Sequence, residues 1–322
     1  MATPNLSEII TTTQRNRTGT LADGVTENCG LLKHLKEKGR VKPFRGGRTI
    51  VQELQYQSNS TAQSYSGAEA LNIQSVDVIT ASEYNIKQYS VAINISGLEE
   101  LQNAGEEQII DLLESRIDNA EKSLMNEVAG DCYSDGTANG SKVIGGLQYL
   151  VADSPSTGTV GGIDRSTYTW WRNISRDASD TLGAVTSANI KQHLNALFVQ
   201  LVRGKDKPTV HIADNNYWTA YLESLQAIQQ ITTDSKASAG FQTLMYMGSP
   251  VILDGGYAGG CSSNHWYMLN GDYLFFRPHS ARNFVPLGKG REAINADASV
   301  RLLGFAGNMT MSVGFLHGVL KA

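Results

Sequence analysis

One segment of the chain constrains the fold more than any other. Residues 49–86 contain no lysine or arginine and hold four carboxylates, so the net charge of the segment is −4. Its two ends, TIVQELQYQ and LNIQSVDVIT, are rich in β-forming residues, whereas residues 58–70 between them are small and polar. The pattern predicts a strand, a flexible tip and a second strand. A hairpin with almost nothing to bury at its tip is expected to project from the body and to be ordered by neighbouring copies.

The preceding segment, residues 31–48, has the opposite charge. Seven lysines and arginines face a single acid, Glu37, which gives a net charge of +6. Pro43, Gly46 and Gly47 end any helix there, so the pattern predicts an extended basic arm. A projecting hairpin cannot fold back on its own arm, so the arm of one copy is predicted to meet the hairpin of another. The candidate interface residues are Arg40, Arg45, Arg48, Glu53 and Glu69.

A long helix is predicted next, at residues 105–132. One apolar stripe repeats with a spacing of three or four residues, and it comprises Ile109, Leu113, Ile117, Ala120, Leu124 and Val128. Ser96 with Glu99, and Asn103 with Glu106, have the spacing of capping boxes. The opposite face is acidic, and the pattern favours a solvated or subunit-facing surface over an acid–base pair.

The second half alternates short helices and strands, which predicts an α+β fold. Helices are expected at residues 187–203, capped by Ser187, and in NNYWTAYLESLQAI; strands are expected in PTVHIAD, PVILDGG, HWYMLN and YLFFRP. The C-terminal segments SVRLLGFAG and MTMSVGFLHGVL are predicted to be two strands around a turn at Gly307 and Asn308.

Composition limits the classes of function. With 322 residues, of which 41% are hydrophobic and 18% charged, the chain can bury a sizeable core. A net charge of −4 argues against a dedicated nucleic-acid binder. No signal peptide or apolar run of membrane-spanning length is present, so no membrane association is expected. Three widely spaced cysteines do not make a disulfide framework, which fits synthesis in a reducing cytoplasm.

No catalytic, cofactor-binding or metal site is predicted. Cys261 and His265 are the closest pair of potential zinc ligands, but a zinc site needs three or four. The glycine-rich GGYAGG at residues 255–260 is followed by no helix that could hold a phosphate, so a turn is favoured. The sequence contains no signature of a hydrolase, zinc protease, kinase or P-loop enzyme.

The order of these parts resembles the Hong Kong 97 fold of tailed-bacteriophage major capsid proteins. Local similarity lies in DKPTVHIADNNYWTAYLE, in FQTLMYMGSPVILDGG, in ASVRLLGFAGNMTMSVGFLHGVL and in residues 145–173. The strand entry at Leu244–Pro250 is one residue looser than the family spacing. The resemblance implies an N-terminal arm at 1–47, an extended loop at 48–76, a peripheral domain with the spine helix at 77–134, an axial domain at 135–295 and peripheral return strands at 296–322.

The resemblance also implies the function. The chain is expected to assemble with itself as pentamers and hexamers into the icosahedral shell that encloses a phage genome, in the virion and after synthesis in the host bacterial cytoplasm. Because the arm begins close to Met1, scaffolding is expected from a separate protein; a portal, a decoration protein and non-specifically bound double-stranded DNA are further expected partners. Two alternatives stay open: an encapsulin-like nanocompartment shell, which shares the fold, and a soluble α+β enzyme.

Overall fold

The structure is a computed structural model that describes residues 29–96, 98, 112–179, 182–226, 244–255, 260–287, 291–292 and 297–322. Its longer helices are α1 (Gly30–Glu37), α2 (Leu112–Asp131), α3 (Ile190–Leu201) and α4 (Asn215–Gln226). Single helical turns lie at Ala138–Ser141, Leu147–Leu150 and Thr169–Trp171. The strands β1 to β15 are, in order, Thr49–Gln55, Ile79–Asn85, Lys87–Ser96, Thr159–Val160, Ile163–Asp164, Ile174–Asp177, Val210–Ala213, Leu244–Tyr246, Ser249–Leu253, His265–Leu269, Leu274–Pro278, Val285–Pro286, Arg291–Glu292, Ala298–Met311 and Gly318–Lys321.

A six-stranded mixed sheet in the order β6-β15-β10-β7-β9-β8 forms one centre of the fold. Both of its faces are buried, which explains why β7 and β10 read as continuous apolar runs. On β10, Tyr267 and Leu269 enter one hydrophobic cluster, while Trp266 and Met268 enter the other. Helices α3 and α4 cover the second face with buried Leu194, Leu197, Tyr217 and Tyr221. The predictions for these strands and helices are confirmed, although α3 begins after Asn189 rather than after a Ser187 cap.

The second centre is the long strand β14, which pairs antiparallel with β3 along one edge and with β11, β12 and β13 along the other. The predicted turn at Gly307 and Asn308 is wrong, because both residues lie inside β14. A Cβ on Gly307 would lie 2.8 Å from the Arg277 carbonyl oxygen and 2.8 Å from the Phe305 ring. Glycine therefore permits close strand packing at this position and does not mark a turn.

The strand pairing crosses one of the predicted domain boundaries in both directions. β11 belongs to the sheet of β3 and β14, although its residues fall within the predicted 135–295 domain. β15 belongs to the six-stranded sheet, although it falls within the predicted 296–322 segment. A boundary between 295 and 296 therefore does not follow the sheets, and the other domain limits stay predictions.

The N-terminal basic segment is not extended over its whole length, which corrects that prediction. Residues Gly30–Glu37 form α1, whose Leu31 and Leu35 are fully buried in the core. Gly39, at φ +65°, ends the helix, with the Arg40 N–H bonded to the Leu35 carbonyl at 2.8 Å and the Gly39 N–H to the Lys36 carbonyl at 3.0 Å. This is a Schellman cap with Gly39 at its left-handed position. Gly39 was not used as the end of a helix in the sequence analysis.

The long helix is described from Leu112 to Asp131, and the predicted residues 105–111 lie outside the described part. Ala120, Leu124 and Val128 of the predicted stripe are buried, which confirms the stripe there. The capping residues Glu99, Asn103 and Glu106 lie outside the described residues, as do Ile109 and the side chains of Leu113 and Ile117.

Candidate assembly interface

The hairpin predicted near residue 49 is formed by β1 and β2, which pair in register from Thr49 opposite Asn85 to Gln55 opposite Ile79. Ile50, Leu54 and Tyr84 point inward and are buried. The base of the hairpin is fixed to the body, because the Glu83 N–H donates to the Gly161 carbonyl at 2.9 Å. The first strand agrees with the prediction, but the second begins at residue 79 instead of 71, because residues 71–78 have no strand opposite them to pair with.

The outer face of the hairpin has no partner within the described chain. It carries the alternate residues of both strands, among them the exposed Val51, Glu53, Ile79 and Glu83. The inner face of the hairpin packs on the body, whereas the outer face is an exposed apolar and acidic surface.

The connection between the strands, residues 56–78, extends this surface and contains no helix or strand. Residues 57–75 are exposed apart from the half-buried Thr61. Three apolar side chains are conspicuous: Tyr65 is 63%, Leu71 52% and Ile73 91% exposed. Sequence reasoning treated residues 58–70 as a polar tip, which passed over Tyr65, and assigned Leu71 and Ile73 to a strand. The signal was present, because apolar residues in a segment with no core of its own commonly mark a contact surface.

The three candidate arginines have different environments. Arg40 forms an ion pair with Asp272 of its own chain and lies over the Phe275 ring, with its Cζ 5.8 Å from the ring centroid. Arg40 is therefore used inside the subunit. Arg45 and Arg48 are exposed, and neither makes an ion pair or hydrogen bond with any described residue. They flank Gly46 and Gly47, the latter at φ +120°, between the docked arm and the start of β1.

The two candidate glutamates lie on the hairpin as predicted. Glu53 is exposed on the outer face, and the Glu69 carboxylate accepts from the Ser66 N–H at 3.2 Å within the loop. No ion pair or hydrogen bond links the five candidate residues to one another among the described residues. Their predicted contact between copies is neither supported nor contradicted by a single chain and stays a prediction.

Cys261 and His265 are not arranged to bind a metal ion together. The Cys261 thiol lies 3.8 Å from the His265 carbonyl oxygen, while the imidazole faces the Asp153 carboxylate at 3.1 Å and the Ser263 carbonyl at 2.7 Å. Burial would lower the pKa of His265, but the hydrogen bonds with Asp153 and Ser263 outweigh it and raise that pKa. Burial raises the pKa of the Cys261 thiol. Within the described ranges, no three His, Cys, Asp or Glu residues are placed to hold a metal ion.

The remaining sequence candidates add no chemical site. Most of the GGYAGG loop, residues 256–259, lies outside the described residues. On α2, Glu127 is exposed and Asp131 accepts a hydrogen bond from the Tyr89 hydroxyl at 2.6 Å, which is a structural role. Among the helices that the structure describes, none is long and apolar enough to span a bilayer.

No family model matches the chain, and no curated protein is similar to it. Several solved structures are similar to the chain. A chain of the Cyanophage A-1(L) capsid asymmetric unit aligns over 94% of this chain and 94% of its own length, with a TM-score of 0.68 and 18% identity. A chain of the capsid of Myoviridae phage XM1 aligns over 96% and 97%, with a TM-score of 0.52 and 10% identity.

The chain has the phage capsid-protein fold. The predicted α+β fold class is confirmed at this level. The same fold occurs in the SrpI encapsulin from Synechococcus elongatus PCC 7942, which aligns over 100% of this chain and 96% of its own, with a TM-score of 0.56 and 9% identity. Capsid-fold proteins thus include both of the shell types that the sequence left open.

Proposed function

We propose that the chain is a phage major capsid protein that assembles with itself into an icosahedral shell enclosing the phage genome. The observation that carries the proposal is the capsid-fold match to the cyanophage protein over 94% of both chains. The two proteins therefore correspond along nearly their whole length.

The hairpin supports self-association. Its outer face and the connection at residues 56–78 expose apolar side chains that no described part of the same chain covers. Covering them would remove apolar surface from water at roughly 25 cal/mol per Å². A second copy of the chain is the partner that a shell supplies at every position.

Charge indicates how copies meet. Arg45 and Arg48 make no ion pair or hydrogen bond with a described residue, and Glu53 and Glu83 lie on the exposed hairpin face. Exposed ion pairs contribute little each, about 0–1 kcal/mol. Their role is therefore to set register and assembly rate, because electrostatic complementarity acts mainly on encounter and specificity. Arg40 is omitted from this contact because Asp272 already holds it.

The assembled form is proposed to be built from pentamers and hexamers, with a separate scaffolding protein, a portal and, optionally, a decoration protein. Packaged double-stranded DNA would touch the inner surface without base readout, since phosphate contacts carry no sequence information. The protein would accordingly reside in the virion after assembly in the host cytoplasm. No catalytic role is proposed for the chain.

An encapsulin-like shell is the second candidate, favoured by the full-length match to the SrpI encapsulin. The higher TM-score and identity of the cyanophage protein favour the phage shell. Genes for a terminase and a portal beside this gene support the phage shell; a gene for an enzyme cargo supports the encapsulin.

Electron microscopy of the purified full-length chain tests the proposal. We expect rings of five or six subunits, or closed shells, in negative stain. A monodisperse monomer or a small uniform oligomer at high concentration would contradict a shell function of either type.

A further inference from the structure

The N-terminus of helix α1 lacks a capping side chain from its own N-cap residue. Its N-cap residue, Cys29, makes no side-chain capping bond. The acceptor is Asp254, which lies 224 positions away in the sequence, and whose Oδ2 accepts from the Gly30 N–H at 2.8 Å. The Tyr133 hydroxyl donates to the same oxygen and lies 3.8 Å from the Cys29 sulfur. A carboxylate at a helix N-terminus satisfies unpaired N–H groups and interacts favourably with the helix dipole.

Three distant segments therefore meet at one partly buried point. Gly30 begins α1, Tyr133 follows α2, and Asp254 follows β9. The approach is close, because a Cβ on Gly30 would lie 2.3 Å from the Ile252 Cγ2 atom. Burial raises the pKa of Asp254, and the hydrogen bonds from Tyr133 and Gly30 act in the opposite direction. Loss of this acceptor would leave buried donors without a partner, which is the costly case for a hydrogen bond.

The rest of the segment is laid along the edge of a sheet. β11 is an edge strand, and residues 40–44 pair beside it: the Lys42 N–H donates to the Phe276 carbonyl at 2.9 Å and the Phe44 N–H to the Pro278 carbonyl at 3.0 Å. Phe44 also packs edge-on against His279, with ring centroids 4.9 Å apart. Residues 29–44, termed the strap below, thus cover an edge that would otherwise be open to pairing with other chains.

We propose that Asp254 is the latch of this strap, and that residues 29–44 open as one unit when the latch is removed while both sheets stay folded. An eight-residue helix is not stable alone, so α1 depends on its cap and on the burial of Leu31 and Leu35. The flexible Gly46–Gly47 pair separates the strap from the hairpin and lets it move without pulling on β1. Opening exposes Leu31, Leu35 and the edge of β11. The latch therefore controls the exposure of an apolar surface and of an unpaired strand edge.

Hydrogen exchange of the full-length chain, followed by mass spectrometry, tests the latch. In Asp254→Ala we expect the amides of residues 31–35 to exchange about 10- to 100-fold faster than in the unmodified chain, which corresponds to the loss of one charged acceptor. The amides of β7 and β10 should exchange at an unchanged rate. Asp254→Asn keeps an oxygen acceptor and should stay within a few-fold of the unmodified chain. Trypsin should cut Asp254→Ala faster at Lys36 and Lys38.

A matched control is Asp153→Ala, which removes a carboxylate that contacts His265 and not the strap. It should leave exchange at residues 31–35 unchanged. Unchanged exchange there in Asp254→Ala overturns the proposal. So does equal acceleration in β7 and β10, because that indicates global loss of stability. If the alanine variant aggregates, Tyr133→Phe, which deletes one donor to the latch, must accelerate exchange at residues 31–35 selectively, and its failure to do so also overturns the proposal.

Discussion

Reversing the charges of Arg45 and Arg48 together separates assembly from folding. Each arginine replaced by glutamate loses one positive and gains one negative charge, so the formal net charge falls from −4 to −8. Both side chains are exposed and unpaired in the described part of the chain, so the free energy of unfolding should change by less than about 0.5 kcal/mol. Arg40 stays unchanged, because its ion pair with Asp272 would confuse folding with assembly.

The expected effect on assembly follows from the size of exposed ion pairs. Two lost attractions and two added repulsions weaken a subunit contact by about 2 kcal/mol, taking about 0.5 kcal/mol for each. That raises the concentration needed for assembly roughly 30-fold. Light scattering as a function of protein concentration measures this threshold, and denaturant unfolding of the isolated subunit measures its stability. High salt should reduce the difference in threshold between the variant and the unmodified chain, because exposed charges are screened.

The matched control is Lys205→Glu with Lys207→Glu, which gives the same net charge from exposed residues that belong neither to the hairpin nor to the strap. It should assemble normally. Normal empty shells from the Arg45→Glu, Arg48→Glu variant would refute the contact between copies. In that case a defect confined to genome packaging would assign the two arginines to DNA.

Three further outcomes are expected. Because no lysine lies between Lys42 and Lys87, the hairpin offers no amine for an inter-subunit bond, and boiled particles should run as single chains on a reducing detergent gel; a ladder of multimers contradicts this. Gly307→Ala should lower the unfolding free energy by about 1–3 kcal/mol in urea titrations, because its Cβ would contact neighbouring atoms at 2.8 Å. The pKa of His265 is raised in the fold, so its contribution is full below the unfolded value of about 6.5 and is lost as pH rises through the folded value; Asp153→Asn should flatten the dependence of unfolding free energy on pH in that window.

Much of the fold could be predicted because local pattern and tertiary packing agree. The apolar runs of β7 and β10 are buried on both faces, and the amphipathic spacing of α3 matches the face that it buries. The stripe of α2 is buried where the structure describes its side chains. In each case a single period in the sequence corresponds to a single environment.

The errors arose where a local signal had a long-range cause. Gly307 resembles a turn residue, but it is a point of close contact between β14, the Arg277 carbonyl and the Phe305 ring. Leu71 and Ile73 resemble strand residues, but no strand in the described part of the chain pairs with them. The arm resembles an extended basic segment, yet it contains α1, whose N-terminus is capped by Asp254, 224 positions away in the sequence. None of these partners is visible within a short sequence window.

The contact between copies stays a prediction. The sequence shows the opposite net charges of the arm and the hairpin. The pairing of Arg40 with Asp272 could not be anticipated, because it depends on how β11 lies beside the strap. The exposed Tyr65 was overlooked because the tip is polar on average, and Ile73 was assigned to a strand instead of to an exposed connection.

A three-dimensional reconstruction of the assembled particle tests the central claim most directly. The account predicts a closed icosahedral shell in which residues 56–78 of each copy lie on a neighbouring copy, with Tyr65 and Ile73 covered and Arg45 near an acidic hairpin face. A connection that folds back on its own subunit, or stays uncovered in a complete shell, would contradict it.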